Sequence, residues 1–333
     1  MRTIGMSYHP RIESKILTSF VTTRTRNSEL WFVNNPALEA SILGYLAKFV
    51  KRYRAHLYAF AIEGNHTHGV MHFPCANRAS FMRDFNSCTA RAVKRFAFTY
   101  PGGSLWGRRY SVEFLPAAED IEEYFFYVAL QPVQDGLVED LADYPGYNFF
   151  RDAIWGIERQ MKVMNWAKYN SARRFSKKVR VDAFIETVTL RYERLPGYES
   201  LSQVEYARLM MRKLEERRIK IVEQRRKEGK TFLGREGTLK IKPGARPVST
   251  KQSSSFNHRP RILSINHERR AFYRKWYFDI LNKYKEASLR YRQGDAKIKF
   301  PSGTFAPTLF KLILEPDETR TPRPKRTKPP PDS

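Results

Sequence analysis

Residues 56–73 constrain the fold more than any other stretch, because they predict a β-hairpin. Two runs with the composition of strands, HLYAFAIEG and HTHGVMHF, are joined at Gly64 and Asn65, a pair of turn-forming residues. Strands joined by so short a turn pair in antiparallel fashion. The chain is therefore expected to contain an antiparallel sheet.

The segments around the hairpin predict an alternation of strands and helices. Asn35 and Pro36 suit the N-cap and first helical position of an amphipathic helix. The expected elements, in chain order, are a strand at 14–25, that helix at 35–55, the two hairpin strands, a helix at 77–98, a strand at 108–116 and a helix at 118–138 that must stop near Pro132. This order predicts an α+β fold, with a ferredoxin-like antiparallel sheet and helices on one face.

His66 and His68 lie two residues apart in the second hairpin strand. Alternate residues of a strand point the same way, so the two imidazoles share a face, with Cα atoms about 6.6 Å apart. Imidazoles so placed can bind one cation, although a histidine in a strand is often an ordinary hydrogen-bonded residue. His72 shares the face but lies roughly 13 Å beyond His68, so it is expected in the core or in a supporting position.

The charge of the chain is strongly uneven. Of the 60 basic and 34 acidic residues, 16 and 14 fall within 1–150, a net charge of +2, whereas residues 151–333 carry +24. A field of that sign attracts polyanions and releases their counterions on binding. Nucleic acid is the expected partner, and an anionic membrane is the weaker alternative because the basic segments lack a long apolar face.

Two tyrosines in the helix at 118–138 can carry chemistry. Tyr124 precedes Tyr127 by three residues. Gln131 follows Tyr127 by four residues and is expected on the same helical face. A tyrosine beside a metal-bound phosphate is a usable nucleophile, because the cation polarises the phosphoryl oxygens and the phenol oxygen can attack phosphorus. Both tyrosines could instead be packing aromatics.

Three segments occur together in an order and at separations typical of one protein family: GNHTHGVMHFP, LWGRRYSVEFL and YFFYVALQPVQDGLVEDLADYPG. They resemble the single-tyrosine HUH transposases of the insertion-sequence type, which include the REP-associated tyrosine transposases. The resemblance covers roughly residues 10–150. It implies an HUH nuclease fold and a metal-dependent enzyme that cleaves and transfers single-stranded DNA, often at hairpins, through a 5′-phosphotyrosine.

Carried over residue by residue, the resemblance makes His66 and His68 metal ligands and makes Tyr127, not Tyr124, the nucleophile. Gln131 stands where the family has Asn or Gln and would complete the metal site from the nucleophile's own helix. Imidazoles, an amide oxygen and phosphate oxygens suit Mg²⁺ or Mn²⁺. Family members that exchange strands between two DNA ends act as dimers and relatives act alone, so both a homodimer and a monomer stay open.

Two further groups are expected to contact DNA. Trp106, Arg108 and Arg109 combine a stacking surface with phosphate-pairing guanidinium groups, although a solvated strand edge with one buried Trp has the same composition. A helix at 266–294 interleaves basic and aromatic residues, among them Arg274, Lys275 and Trp276. We expect it to lie along DNA phosphates, and a plain packing helix is the alternative.

The predicted organisation has three parts: an HUH transposase domain at 1–150, a basic and mainly helical DNA-binding extension at 151–315 with a linker near 230–262, and a disordered basic tail at 316–333. Cys75 and Cys88 form no C-x-x-C pair, which argues against a disulfide framework or a cysteine zinc site. The sequence has no long apolar span and no apolar signal region at its start, so a cytoplasmic protein without membrane contact is expected.

Other function classes stay open beside the transposase. One is a catalytically silent or domesticated DNA-binding protein of the same fold. A replication initiator or relaxase would use similar chemistry, but the sequence contains no Gly-rich phosphate loop of the helicase type and no second catalytic tyrosine pair. An unrelated metallohydrolase with two histidines is the remaining alternative.

Overall fold

The central sheet and its helices follow the predicted order. The computed structural model describes residues 10–176, 178–247 and 261–307. The elements up to residue 129 are β1 (Thr18–Arg24), α1 (Pro36–Tyr53), β2 (His56–Glu63), β3 (His66–His72), α2 (Arg78–Phe96), β4 (Ser111–Leu115) and α3 (Ala118–Ala129). The alternation is confirmed, although β4 begins at Ser111 rather than at 108.

The start of α1 shows why the local sequence determines this helix. The Asn35 side-chain oxygen accepts a hydrogen bond from the Leu38 amide at 3.0 Å, which satisfies one of the unpaired amides of the first turn. Pro36 occupies the first helical position, where its missing N–H costs nothing. The predicted N-cap is confirmed.

The four strands form one antiparallel sheet in the order β2-β3-β1-β4. The turn at Gly64 and Asn65 pairs Glu63 with His66, and β1 places Thr22 opposite His68. An α+β fold with an antiparallel sheet is therefore confirmed.

The helices cover both faces of the sheet, so the prediction that they lie on one face is wrong. α2 covers one face, where the rings of Phe60 and Phe85 meet at 5.7 Å. α3 covers the other, where Tyr124 and Tyr127 pack against Phe20 at 4.9 and 5.8 Å. The physical reason lies in β1, where the neighbouring apolar residues Phe20 and Val21 point to opposite faces, so both faces must be shielded from water.

The chain after α3 contains α4 (Gln131–Gln134), α5 (Phe150–Trp155), β5 (Arg159–Met164), α6 (Trp166–Phe175), β6 (Ile185–Leu190), α7 (Gln203–Lys227), α8 (Gly234–Leu239) and α9 (His267–Arg292). β5 and β6 pair as a two-stranded antiparallel sheet, which the expectation of a mainly helical extension missed. Polar and apolar residues alternate in the TVTL stretch of β6, and this period of two was the signal available in the sequence.

Apolar residues on either side of position 150 share one hydrophobic core. Phe149 packs against Phe125 at 5.1 Å and against Tyr192 at 5.4 Å. The division into a domain at 1–150 and an extension at 151–315 stays a prediction.

The structure describes residues 230–247 and 261–262 of the predicted linker, and the first of these segments is bonded to the first half of the chain. The Leu30 amide donates to the Ala245 carbonyl at 2.8 Å, and the Leu233 amide donates to the Gly136 carbonyl at 2.9 Å. Residues 248–260 and the predicted tail at 316–333 lie outside the described residues.

Two smaller expectations concern the membrane and the cysteines. Within the described ranges, no helix combines the length and the apolar character that a membrane span requires. Cys75 is exposed, Cys88 is half-buried, and both are free thiols.

Candidate functional site

His66 and His68 form a close pair at the centre of the sheet. Their rings meet edge to face with centroids 4.5 Å apart, and the residues are only 4% and 5% exposed. The period of two along β3 places both on the face that α3 covers. The structure thus brings the two predicted metal ligands together.

Each imidazole of the pair is oriented through its Nδ1 atom. His66 Nδ1 lies 2.7 Å from the Asn65 side-chain oxygen, which can only accept, so Nδ1 carries the proton and donates it. His68 Nδ1 lies 2.9 Å from the Thr22 hydroxyl oxygen. Because these contacts engage Nδ1 on both rings, a metal ion would be bound through Nε2.

The environment keeps His66 in the neutral form that a metal requires. Burial lowers the pKa of His66 well below its usual value, and the neighbouring His68 and Arg24 lower it further. Neutral imidazole is the metal-binding state, so the ring is ready as a ligand at neutral pH.

Tyr127 reaches the histidine pair from α3. Its ring lies 6.0 Å from that of His68, at an angle of 78°. Tyr124 is a neighbour of Tyr127 on α3, at 5.6 Å, and packs on Phe20. Burial, followed by the charge of Glu113, raises the pKa of Tyr124 to about 12, which makes its phenolate harder to form.

Gln131 is not on the helix of Tyr127, so that part of the prediction is wrong. α3 ends at Ala129, Leu130 leaves the helical conformation, and Gln131 begins the short helix α4. Pro132 is the cause: a continuous helix would need its missing amide, whereas near the start of a new helix that amide is dispensable. Gln131 nevertheless lines the same cavity as the histidine pair.

The Gln131 amide oxygen fits the role of a metal ligand. Gln131 is 6% exposed, and its Oε1 atom has no hydrogen-bond partner within the described residues. A buried oxygen without a partner is costly, and a cation would satisfy it. Two imidazoles and one amide oxygen, with phosphate oxygens from a substrate, form a donor set that suits Mn²⁺ or Mg²⁺.

Glu63 is a residue of the cavity that the sequence analysis missed. It pairs with His66 across the hairpin turn, is 3% exposed, and has one carboxylate oxygen without a partner among the described residues. Burial, and then the charge of Asp135, raises the pKa of Glu63 to about 8. The described part of the chain contains no cluster of three His, Cys, Asp or Glu side chains arranged around a metal position.

Thr22 and Asn65 were also missed as functional residues. Thr22 could have been found from the alternation along β1, because it shares a face with Phe20. Asn65 was interpreted as a turn residue, and it does lie in the hairpin turn; its side-chain amide also donates to the Ser28 carbonyl at 2.9 Å.

The cavity that these residues line is large and rich in basic side chains. Its volume of about 1940 Å³ exceeds that of a usual small-molecule pocket, roughly 300–1,000 Å³, and suits a polymer. Four acidic residues line it against eight basic ones, which are Arg24, Arg108, Arg109, Arg225, Lys230, Lys240, Lys242 and Arg246.

The predicted DNA-contacting residues near β4 divide into two groups. Arg108 and Arg109 are exposed and line the cavity. Trp106 is half-buried; its indole N–H donates to the Asn86 carbonyl at 3.0 Å, and its ring packs on Phe32. A stacking role for Trp106 stays a prediction.

The residues predicted on α9 lie apart from the cavity lining. Arg274 and Lys275 are exposed, and Trp276 is half-buried with its ring 5.8 Å from that of Phe114. Their contact with DNA stays a prediction. His72 does not line the cavity, and the expectation that it lies in the core or in a supporting position is wrong. It is half-buried, its Nε2 atom lies 2.8 Å from the Lys15 carbonyl oxygen, and its ring stacks on His56.

No family model and no curated protein matches the chain. Among the solved structures that resemble part of it are two transposases. A REP-associated tyrosine transposase bound to a REP hairpin is 21% identical, with a TM-score of 0.38, over 44% of this chain and 85% of that one. A candidate transposase from Deinococcus radiodurans R1 is 18% identical, with a TM-score of 0.26, over 34% of this chain and 83% of that one. At these values the functional assignment depends on the residues of the site.

Proposed function

We propose that this protein is a metal-dependent transposase that cleaves and rejoins single-stranded DNA through Tyr127. The observation that carries the proposal is the constellation of His66, His68 and Tyr127. The ring centroid of His68 lies 4.5 Å from that of His66 and 6.0 Å from that of Tyr127. The strand order β2-β3-β1-β4, with α1 and α2 as the connections, supports a ferredoxin-like HUH fold. The basic lining of the cavity supports a polyanionic substrate.

Each residue of the site has a defined task in this proposal. His66, His68 and Gln131 would hold Mg²⁺ or Mn²⁺, which would supply polarisation of the phosphate. The Tyr127 oxygen attacks phosphorus, so that a new P–O bond to tyrosine forms while the bond to the 3′-oxygen breaks. The phenol proton passes to solvent and the 3′-oxygen takes one up, which leaves a 5′-phosphotyrosine and a free 3′-hydroxyl. Attack by a 3′-hydroxyl on the phosphotyrosine reverses the step and joins strands.

A DNA-binding protein without nuclease activity is the second candidate. The observation that favours it is the set of basic cavity residues, which attract DNA whether or not a bond is broken. This candidate predicts tight, salt-sensitive binding and no covalent product.

A labelled adduct distinguishes the two candidates. The protein is incubated with a pool of 5′- and 3′-labelled hairpins from the DNA flanking its gene, with Mn²⁺ or Mg²⁺, and separated on a denaturing gel. The transposase predicts a protease-sensitive labelled adduct that disappears with chelator and with Tyr127→Phe. Tyr124→Phe is the matched control, since it removes the same atom three residues away, and should retain the adduct. An adduct unaffected by Tyr127→Phe would refute the assignment of the nucleophile.

A further inference from the structure

We propose that residues 230–247, here called the strap, bind the backbone of single-stranded DNA along one wall of the cavity. This inference rests on the proposed function, because it names the surface that holds the strand to be cleaved. The DNA contacts predicted from the sequence are Trp106, Arg108, Arg109 and α9, and the strap falls in the segment predicted as a linker.

The strap lines the same cavity as the histidine pair and Tyr127. Its cavity residues are Lys230, Leu233, the run 238–242 and the run 245–247. A strand whose phosphate reached Tyr127 would therefore have the strap beside it.

Hydrogen bonds fix the strap at both ends and in its middle. At one end the amides of Leu233 and Gly234 donate to the carbonyls of Gly136 and Leu137, each at 2.9 Å. At the other end the Leu30 amide donates to Ala245 and the Gly244 amide donates to Leu30, at 2.8 and 3.1 Å. Between them the Asn34 side-chain amide faces the carbonyl oxygens of Thr238, Leu239 and Ile241 at 3.1, 2.9 and 2.9 Å.

Gly244 shows that the strap conformation depends on its sequence. Its φ of +83° lies in the left-handed region, and a Cβ atom there would sit 2.7 Å from the Trp31 ring. Only glycine fits this close approach without displacing the indole. A surface held in this way loses little conformational freedom when it binds a ligand.

The charge of the strap is available for a ligand. Lys240 and Lys242 are exposed, and neither forms an ion pair with another described residue, whereas Arg246 pairs with Glu29 at 3.3 Å. Leu239, beside Lys240, is 50% exposed in the same cavity wall. Cations with an exposed apolar neighbour match a strand that offers both phosphates and unstacked bases.

The test compares two double variants that remove the same charge. Lys240→Gln with Lys242→Gln changes the strap, and Lys162→Gln with Lys168→Gln changes two exposed lysines that do not line the cavity. Both are made in the Tyr127→Phe background, so that binding is measured without cleavage. Fluorescence anisotropy with a labelled dT30 oligonucleotide gives Kd over a series of NaCl concentrations, and thermal melting checks that each variant is folded.

The strap variant should bind at least tenfold more weakly at low salt. The slope of log Kd against log salt should fall by about 1.4, because each phosphate contact with a single strand contributes roughly 0.7. The control variant should change the slope by less than half as much. Equal effects of the two pairs would mean a general effect of charge and overturn the proposal, and so would unchanged binding by the strap variant. Absence of a covalent adduct in the wild-type protein would refute the proposed function and leave this result standing.

Discussion

His68 and Tyr127 meet edge to face, with ring centroids 6.0 Å apart. His68 belongs to β3 and Tyr127 to α3. They meet because α3 packs across β1 and β3 on the face of the sheet that carries His68. This contact places a candidate metal ligand beside a candidate nucleophile. Metal binding by the histidines and covalent bonding by the tyrosine can be tested separately.

Removing either histidine should weaken metal binding. His66→Ala and His68→Ala should each raise the Kd for Mn²⁺ at least tenfold, which corresponds to about 1.4 kcal/mol, because one of the few protein donors is lost. Electron paramagnetic resonance of free Mn²⁺ measures this directly. His72→Ala is the matched control, since that ring bonds to the Lys15 carbonyl outside the cavity, and its Kd should be unchanged. Wild-type affinity in both site variants would exclude the pair as ligands.

The groups that orient the imidazoles should matter nearly as much. Asn65→Ala and Thr22→Val remove the partners of the two Nδ1 atoms, and each should weaken Mn²⁺ binding by roughly 10–100-fold. Thr23→Val is the control for Thr22→Val, because it makes the same change at the next residue of β1, where the hydroxyl faces Asn86 on α2. Equal effects of Thr22→Val and Thr23→Val would point to a general packing defect instead.

Replacing Gln131 should weaken metal binding without lowering the stability of the metal-free protein. Replacement by Met removes a buried oxygen without a partner at similar volume, and such an atom costs about 1–3 kcal/mol. The metal-free Gln131→Met protein should be at least as stable as the wild type in urea unfolding, while the stabilisation by Mn²⁺ should shrink. Gln134→Met, which loses only a long hydrogen bond to the Tyr127 carbonyl, should keep the Mn²⁺ effect. A destabilised metal-free Gln131→Met protein would show that Oε1 has a structural partner.

Glu63 should make the metal-free protein less stable as the pH rises. Its folded pKa of about 8 lies above the unfolded value of 4.5, so the native state holds a proton that the unfolded chain releases first. The free energy of unfolding should therefore fall by a few kcal/mol between about pH 4.5 and about pH 8. Urea unfolding in chelator measures this, and Glu63→Gln should flatten the slope over that range. An equal slope in wild type and variant would mean that Glu63 is not the group responsible.

The sequence predicted the elements of the fold because their signals are local. The Asn35–Pro36 cap and the turn at Gly64 and Asn65 each depend on neighbours within a few residues, and both are confirmed. The position of α3 depends instead on tertiary packing, because both faces of β1 are buried. The sequence of β1 does not indicate which helix covers which face.

The site was predictable in its centre and not at its walls. His66 and His68 follow from the period of two along a strand, and the pairing of Tyr127 with them depended on a resemblance to a family. Glu63 gave no signal, because a carboxylate at the end of a strand usually faces water and its burial arises from tertiary packing. The strap has no periodicity, and hydrogen bonds to Leu30 and Asn34, distant in sequence, hold it in place.

The central claim is that Tyr127 carries the covalent bond to DNA, and mapping the modified residue tests it most directly. The wild-type adduct formed with Mn²⁺ is digested with nuclease and trypsin, and the nucleotide is located by fragmentation mass spectrometry. The tryptic peptide 110–151 contains both Tyr124 and Tyr127, so one spectrum compares the two. We predict that the added nucleotide is on Tyr127. A nucleotide on any other residue, whether Tyr124, one of the three further tyrosines of this peptide or a residue outside it, would contradict the account.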